Sequence, residues 1–549
     1  MKHSAKIAAA LLAGTMAVSL GLTGCGEQSA GTEPSQVTSQ ATQQSTTKAD
    51  SLTIAITNDE NTLAPYTYVS GTGLVANRLI YDTLLTIDKD NNIIPWMVDD
   101  YTVSDDSKVY TMKLLDGQKF HNGNPVTAED VKFSFEYAAD KNVAGLRKIA
   151  DKVEKIETPD EQTIIFTLKN TDINFARDGL AVMRIINKDV YDGVTDPTTV
   201  KESIGSGMYK LVEYKTGEYY KLEAVEDYFR GAPQVSKINM PIVTDATAVQ
   251  QGILSGEFAA STSTISVEVV DTFKNTPNLE VYSNDGYAPT ILNFNNGEDA
   301  MQDVKFRQAL SYAIDVNDIC KTLYGDYATV GTKGLIRSDM DYSVSGLGYV
   351  HDVEKAAQLL DELGYTEKNG DGYRFDKNGK VLDFDILTYS GNTIRARIAE
   401  LAVEDLKEVG IKATVKSMEM DTVDAYVWPD FEVSKGRDYD MSTWGWSSSN
   451  TPTFLVSLCS SDYSIGTYNV MGYKSDNFDQ IVTDQYSKVT SMDQMTSMLK
   501  ELQTVVADEI PCLVIAYPDS LQVCNTQQYN GWESGKGLNI VNVFSFLAE

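Results

Sequence analysis

Histidine and cysteine are scarce in this chain of 549 residues, which holds three of the first and five of the second. His3 stands in the amino-terminal leader, and His121 and His351 are far apart, so no histidine cluster with metal- or haem-ligand spacing exists. Cys25, Cys320, Cys459, Cys512 and Cys524 are too few and too scattered for a disulfide scaffold, although Cys512 and Cys524 are close enough to pair across a strand turn. No His-Glu-x-x-His, paired-cysteine or nucleophile-elbow motif occurs, so no metal, cofactor or catalytic role is expected. Asp88, Asp90 and Asn92 copy the first spacings of a calcium loop, but Ile93 stands where that loop needs glycine, and the segment reads as a solvated turn. Positive charge is also short. Against 78 acidic residues there are 46 basic ones, a net charge of -32 that repels nucleic acid.

What is present begins at the amino end. Lys2 and Lys6 precede an apolar run, Ile7 to Leu22, that is too short for a membrane span with flanks and reads as an export signal. Leu22-Thr23-Gly24-Cys25 resembles the lipobox of bacterial lipoproteins. That resemblance implies removal of residues 1–24, diacylglycerol on the Cys25 thiol and a place at the outer face of the cytoplasmic membrane. Residues 26–50 are rich in Gln, Ser and Thr and cannot bury enough surface to order themselves, so they read as a flexible linker. No second run is long and apolar enough to cross a membrane.

The remaining body of about 500 residues exceeds the roughly 250 to 300 at which single cores stop growing, so at least two domains are expected. Leu52, Ile54 and Ile56 alternate as a strand, and Asn58 to Pro65 read as the loop leaving it. Tyr110, Met112 and Leu114 mark another strand. Thr127 caps a helix with Asp130 at its third position. Helical stripes follow at Phe306–Ile314, Ala356–Leu363 and Ile394–Val409, the second and third closed by Gly364 and Gly410. The strand predicted at Leu382–Leu387, the third helix and the run Ile411–Val415 make a strand, helix, strand unit of the kind that builds parallel sheets.

Four segments together resemble the family 5 extracellular solute-binding proteins of ABC importers, a group of oligopeptide-, dipeptide- and nickel-binding proteins. They are Tyr110 to Tyr137; Ile204 to Tyr214 with Glu226 to Pro233; Asp303 to Ile319 with Asp352 to Tyr365; and Ala507 to Pro518. The resemblance runs from Ser51 to the carboxyl end and implies an α/β, two-lobed periplasmic-binding-protein-like fold with an extra subdomain in the larger lobe. The larger lobe would be 51–293 completed by 517–549, the smaller 294–516, and the hinge would lie near 290–295 and 516–519. It also implies a monomer that passes a small solute, an oligopeptide first of all, to importer permease subunits. A secreted hydrolase with two carboxylates distant in sequence, and an adhesin or sensory partner with a decayed cleft, are the competing classes.

Site residues follow from the same comparison. Trp444, Gly445, Trp446, Ser447, Ser448 and Ser449 combine rigid apolar walls with hydroxyls, the composition of a pocket, and match a Gly-Trp strand edge that lines the family's cavity. Peptide binders of the family carry, a few residues on, an aspartate for the ligand ammonium. Here Ser449 or Asn450 takes that position, so either Asp59 or Glu60 in the first loop replaces it or the ligand lacks a free amine. Tyr66 and Tyr68 either face the ligand or pack beneath that loop. Lys435 and Arg437 either pair with a ligand carboxylate or are solvated. An oligosaccharide or opine-like solute is the alternative to a peptide.

Overall fold

A computed structural model describes residues 48–67, 71–141, 146–446 and 451–547. Cys25, Tyr68, Ser447, Ser448, Ser449 and Asn450 lie outside them. The expected first strand forms at Leu52–Ala55, with Leu52, Ile54 and Ala55 buried. It runs parallel to Lys237–Pro241 on one side and Ala260–Ser261 on the other. This makes it an inner strand of a seven-stranded sheet, flanked further by Tyr209–Lys215 and Tyr219–Ala224 on one side and by Ser520–Asn525 and Leu279–Asn284 on the other. Its alternating Leu52 and Ile54 are fully covered and Thr53 between them is half-buried, as befits an inner strand.

The second sheet has six strands in the order Ala328–Val330, Cys512–Pro518, Thr290–Phe294, Met441–Gly445, Asp383–Tyr389, Lys412–Met418. Its parallel core is the expected strand, helix, strand unit: Asp383–Tyr389 and Lys412–Met418 pair over seven positions and are joined by the helix Thr393–Glu408. That helix buries Ile398, Ala402 and Leu406 against the sheet and ends where Gly410 takes φ +83°, a conformation open to glycine. A separate four-stranded sheet, ordered Val98–Val103, Val109–Leu114, Thr163–Leu168, Val153–Glu157, carries the capping-box helix Ala128–Asp140, with Thr127 and Asp130 exchanging their bonds. It is the extra subdomain of a two-lobed α/β fold.

The chain passes from the first sheet to the second between Asn284 and Thr290, ahead of the expected 290–295, and returns between Pro518 and Ser520. The register puts both passages on one edge of each sheet. Thr290 lies opposite Gly445 and Ala516, so the carboxyl ends of the parallel strands, at Tyr389, Met418 and Gly445, share their edge with the crossings. In the first sheet the carboxyl ends at Ala55, Pro241 and Ser261 share an edge with Asn284 and Ser520. The two carboxyl edges therefore meet at the hinge, which is where α/β sheets gather ligands.

The crossings touch. A Cβ at Gly286 would stand 1.7 Å from the Pro518 carbonyl oxygen, so only glycine allows that approach. Arg337, 4 % exposed, donates to Asp285 at 2.6 Å, to the Gly286 carbonyl at 2.6 Å and to Asp339 at 2.8 Å. Cys512 and Cys524, close enough in sequence to pair across a strand turn, do not pair: the chain crosses from one sheet to the other between them, leaving both thiols free and buried.

Candidate functional site

Asp59 follows the carboxyl end of Leu52–Ala55 by four residues and is held by the neighbouring hairpin. Its carboxylate accepts from Tyr220 at 2.6 Å, Gly217 N–H at 2.6 Å, Tyr214 at 2.9 Å and Asn61 N–H at 2.9 Å. Tyr214 and Tyr220 are themselves stacked, 4.6 Å between ring centres. Burial alone would raise the pKa of Asp59, but the bonds from Tyr220, Asn61, Gly217 and Tyr214 outweigh it and hold the carboxyl below its usual range. Its oxygens are thus committed to the hairpin. Glu60 accepts from Asn58 at 3.1 Å.

Tyr66 takes the packing alternative. It is 1 % exposed, and its hydroxyl donates to the Arg184 carbonyl at 2.7 Å and the Ser134 carbonyl at 3.2 Å, beneath the first loop. Arg437 turns to carbonyl oxygens, Val470 at 3.0 Å and Val433 at 3.2 Å. Lys435 pairs with Asp430 and Glu432 at the surface.

The tryptophans behave differently. Trp444 is fixed by the register opposite Ile291, and both it and Trp446 lie against the core between the sheet and the helices. Trp446 packs against Tyr468 in a tilted arrangement, 4.7 Å between ring centres, and meets Trp428 edge-on at 5.3 Å. Trp444 and Trp446 are 4 % and 9 % exposed, yet among the described residues the indole N–H of each has no hydrogen-bond partner, nor has that of Trp428. Buried indoles ordinarily find an acceptor. A cluster of unsatisfied donors at a sheet's carboxyl edge has the makings of a recognition surface. A small cavity at the hinge adjoins it, lined by Tyr287, Arg337, Tyr342, Phe454 and Tyr517.

His121 lines a separate surface hollow with Lys119, Lys210, Glu223 and Tyr228. Burial drives its pKa down to about 4. Its neutral ring accepts from Gly205 N–H at 3.3 Å and donates to the Gly207 carbonyl at 2.9 Å, bracing the loop. Sequence reasoning did not single out Arg337, Arg395 or Asp424, because each acquires its setting only when distant strands meet.

Residues 92–464 match the family model described as "Bacterial extracellular solute-binding proteins, family 5 Middle". The chain belongs to this family. Within family 5, it is 27% identical over 456 residues to the oligopeptide-binding protein AppA of Bacillus subtilis, covering 81% of each chain. It is 26% identical over 486 residues to heme-binding protein A of Haemophilus influenzae, covering 83% of this chain and 84% of that one. Among solved structures, the ABC transporter substrate-binding protein CtaP of Listeria monocytogenes superposes with a TM-score of 0.77 at 25% identity, covering 87% of this chain and 94% of CtaP. The chain is thus an extracytoplasmic solute-binding protein of the ABC-importer type.

Proposed function

We propose that the chain captures a peptide or peptide-like solute between its lobes and delivers it to the membrane subunits of an ABC importer, tethered meanwhile by lipid on Cys25. The observation that carries this reading is the meeting of two carboxyl edges at a double crossing, with unsatisfied indole donors on one of them. Lobes joined by two short crossings close by rotation about them, so a solute gripped by both edges stabilises the delivered form. The likeness to an oligopeptide-binding protein supports a peptide ligand. Native mass spectrometry of protein purified gently from its own host tests it. A ladder of peptide masses is expected, and one discrete non-peptide mass would refute the peptide part. Cys25→Ala should release the protein from the membrane fraction; an unmodified amino end in the wild type would refute the tether.

The engagement of Asp59 favours a second reading, a solute without a free ammonium, such as an oligosaccharide or an opine-like compound. An unpaired buried ammonium is costly, and Asp59 has no oxygen left to meet one without giving up the hairpin.

A further inference from the structure

Two lobes joined by a double crossing are free to rotate about it unless a contact away from the crossing also holds them. Such a contact exists at one end of the four-stranded sheet of the extra subdomain. The register gathers the turn 104–108, the start of Val153–Glu157 and the chain leaving Thr163–Leu168 at that end: Val103 lies opposite Tyr110, Val109 opposite Thr167 and Val153 opposite Leu168. Across from it stands the segment 486–490, which connects the smaller lobe's helices Asp476–Gln485 and Met492–Glu509.

Ser107 makes the first contact. Its hydroxyl donates to the Thr490 carbonyl at 3.2 Å, and the residue is buried. Its φ is +54°, in the left-handed region that glycine enters freely and serine enters at a cost. The turn itself is well tied. Ser107 N–H donates to the Ser104 carbonyl at 2.8 Å, the Ser104 hydroxyl accepts from Val109 N–H at 2.9 Å, and the Thr171 hydroxyl donates to the Asp106 carbonyl at 2.9 Å. Glycine at 107 would serve this turn at least as well. What serine adds is a hydroxyl directed at the other lobe.

Ile173 makes the second contact. The Asp172 carboxylate before it is held by Lys152 at 2.7 Å and by Asn174 N–H at 3.0 Å, and the Asp172 carbonyl accepts from the Tyr110 hydroxyl at 2.9 Å. Ile173 thus projects from a fixed backbone, and it packs against the core cluster that includes Val489 and Met495. Every other apolar side chain of that cluster lies between Ile291 and Tyr517 in the chain. Tyr486 packs on the same cluster; burial lifts its pKa to about 12, and the charges of Asp172 and Asp178 add to the rise, so both acids of the subdomain stand near the smaller lobe.

A single core cluster runs from Leu52 and Ile54 of the first sheet to Tyr110 and Phe166 of the subdomain, so these two parts move together. A rotation that parts the lobes therefore carries Ser107 and Ile173 away from Thr490 and Val489. We propose that this end of the extra subdomain is a clasp, in which Ser107 and Ile173 hold the smaller lobe closed without any solute, so that breaking the clasp sets the rate of solute release. The inference rests on the closure of the lobes in the solute-capture reading and adds what holds them together.

The test compares full-chain wild type, Ser107→Gly, Ile173→Ser and the pair. Glycine suits a φ of +54°, so Ser107→Gly keeps the turn while removing the hydroxyl. Thermal unfolding checks that each variant folds, and Ser107→Gly carries the test if Ile173→Ser does not. Small-angle X-ray scattering is read on protein refolded from urea and shown by native mass spectrometry to be free of solute. Wild type should be as compact as the solute-loaded protein, the pair more extended, and Ser107→Gly between them. Loss of the co-purified solute after dilution, timed by native mass spectrometry, should quicken about threefold in Ser107→Gly and about tenfold in the pair. Solute-free wild type as extended as the pair, or variants as compact and as slow to release as wild type, would overturn the clasp and leave solute capture standing. Variants more extended than wild type, in a chain that brings no solute from its host, would uphold the clasp and overturn the capture reading.

Discussion

At the carboxyl edge of the first sheet the Asp59 carboxylate is surrounded by donors, whereas at the carboxyl edge of the second sheet Arg395 and the indoles of Trp444 and Trp446 have no partners among the described residues. Both sets of residues occupy the position where α/β sheets bind ligands. Sequence position alone ranks them equally. Satisfaction separates them: a polar group whose bonds are complete within the chain stabilises the fold, and one left open has capacity for a solute. A buried polar group without a partner costs about 1–3 kcal/mol, so its persistence at a cleft is informative.

The largest effect expected from this contrast is at Trp446. Trp446→Ala removes a ring packed against Tyr468 and Trp428 and should lower stability in urea by about 3–5 kcal/mol, with solute capture lost as well. Retained capture would place the ligand elsewhere.

Asp59→Ala should lower stability by about 2–3 kcal/mol, because Tyr214, Tyr220 and Gly217 lose a charged acceptor. The pH dependence gives the sign. The folded-state pKa of Asp59 lies below the ordinary value near 3.8, so its contribution is present above that value and is lost as pH falls through the folded one. Urea midpoints of wild type and variant should converge in acid and differ at neutrality, while capture is unchanged.

Asp82 sharpens the comparison, since it is an incompletely satisfied group away from the cleft. Its Oδ1 accepts from Trp96 at 3.0 Å and Tyr228 at 2.8 Å; Ser206 lies beside the carboxyl, but among the described residues the buried Oδ2 makes no hydrogen bond. Burial raises its pKa to about 6. The fold therefore favours the protonated carboxyl, and stability should be greatest below the unfolded value near 3.8 and fall as pH rises through about 6. Asp82→Asn should remove that slope and gain about 1–2 kcal/mol at neutral pH, measured as urea midpoints across this range. An unchanged slope would show that another group titrates.

The smallest effect concerns the cysteines. Cys512 and Cys524 are free and buried, and burial pushes both thiols up. Neither should react with a thiol reagent in the native protein, and both should react in denaturant without reductant.

Much of this fold was legible because it is written in periodicity. The strand at Leu52, the capping box at Thr127 and the strand, helix, strand unit ending at Gly410 are local patterns, and four family-like segments fixed their order. The site was less legible. Tyr66 follows a strand in the right place, but whether it faces a ligand or the Arg184 carbonyl depends on a loop more than a hundred residues away. The carbonyls that Arg437 meets, Val433 and Val470, and the hairpin that brings Tyr214 and Tyr220 beside Asp59 are likewise set by the assembled fold. Arg395 left only a faint trace, an arginine three residues past Asn392, and its openness is visible only once Gly445 lies beneath it. Whether a polar group is satisfied is a property of the assembled edge.

The contrast between the two edges is tested most directly by native mass spectrometry of wild type, Asp59→Asn and Trp446→Ala, each purified gently from the same host and compared for co-purifying solute. Wild type and Asp59→Asn should carry the same solute mass at similar occupancy, and folded Trp446→Ala should arrive empty. Loss of the solute from Asp59→Asn together with its retention by Trp446→Ala would contradict the account.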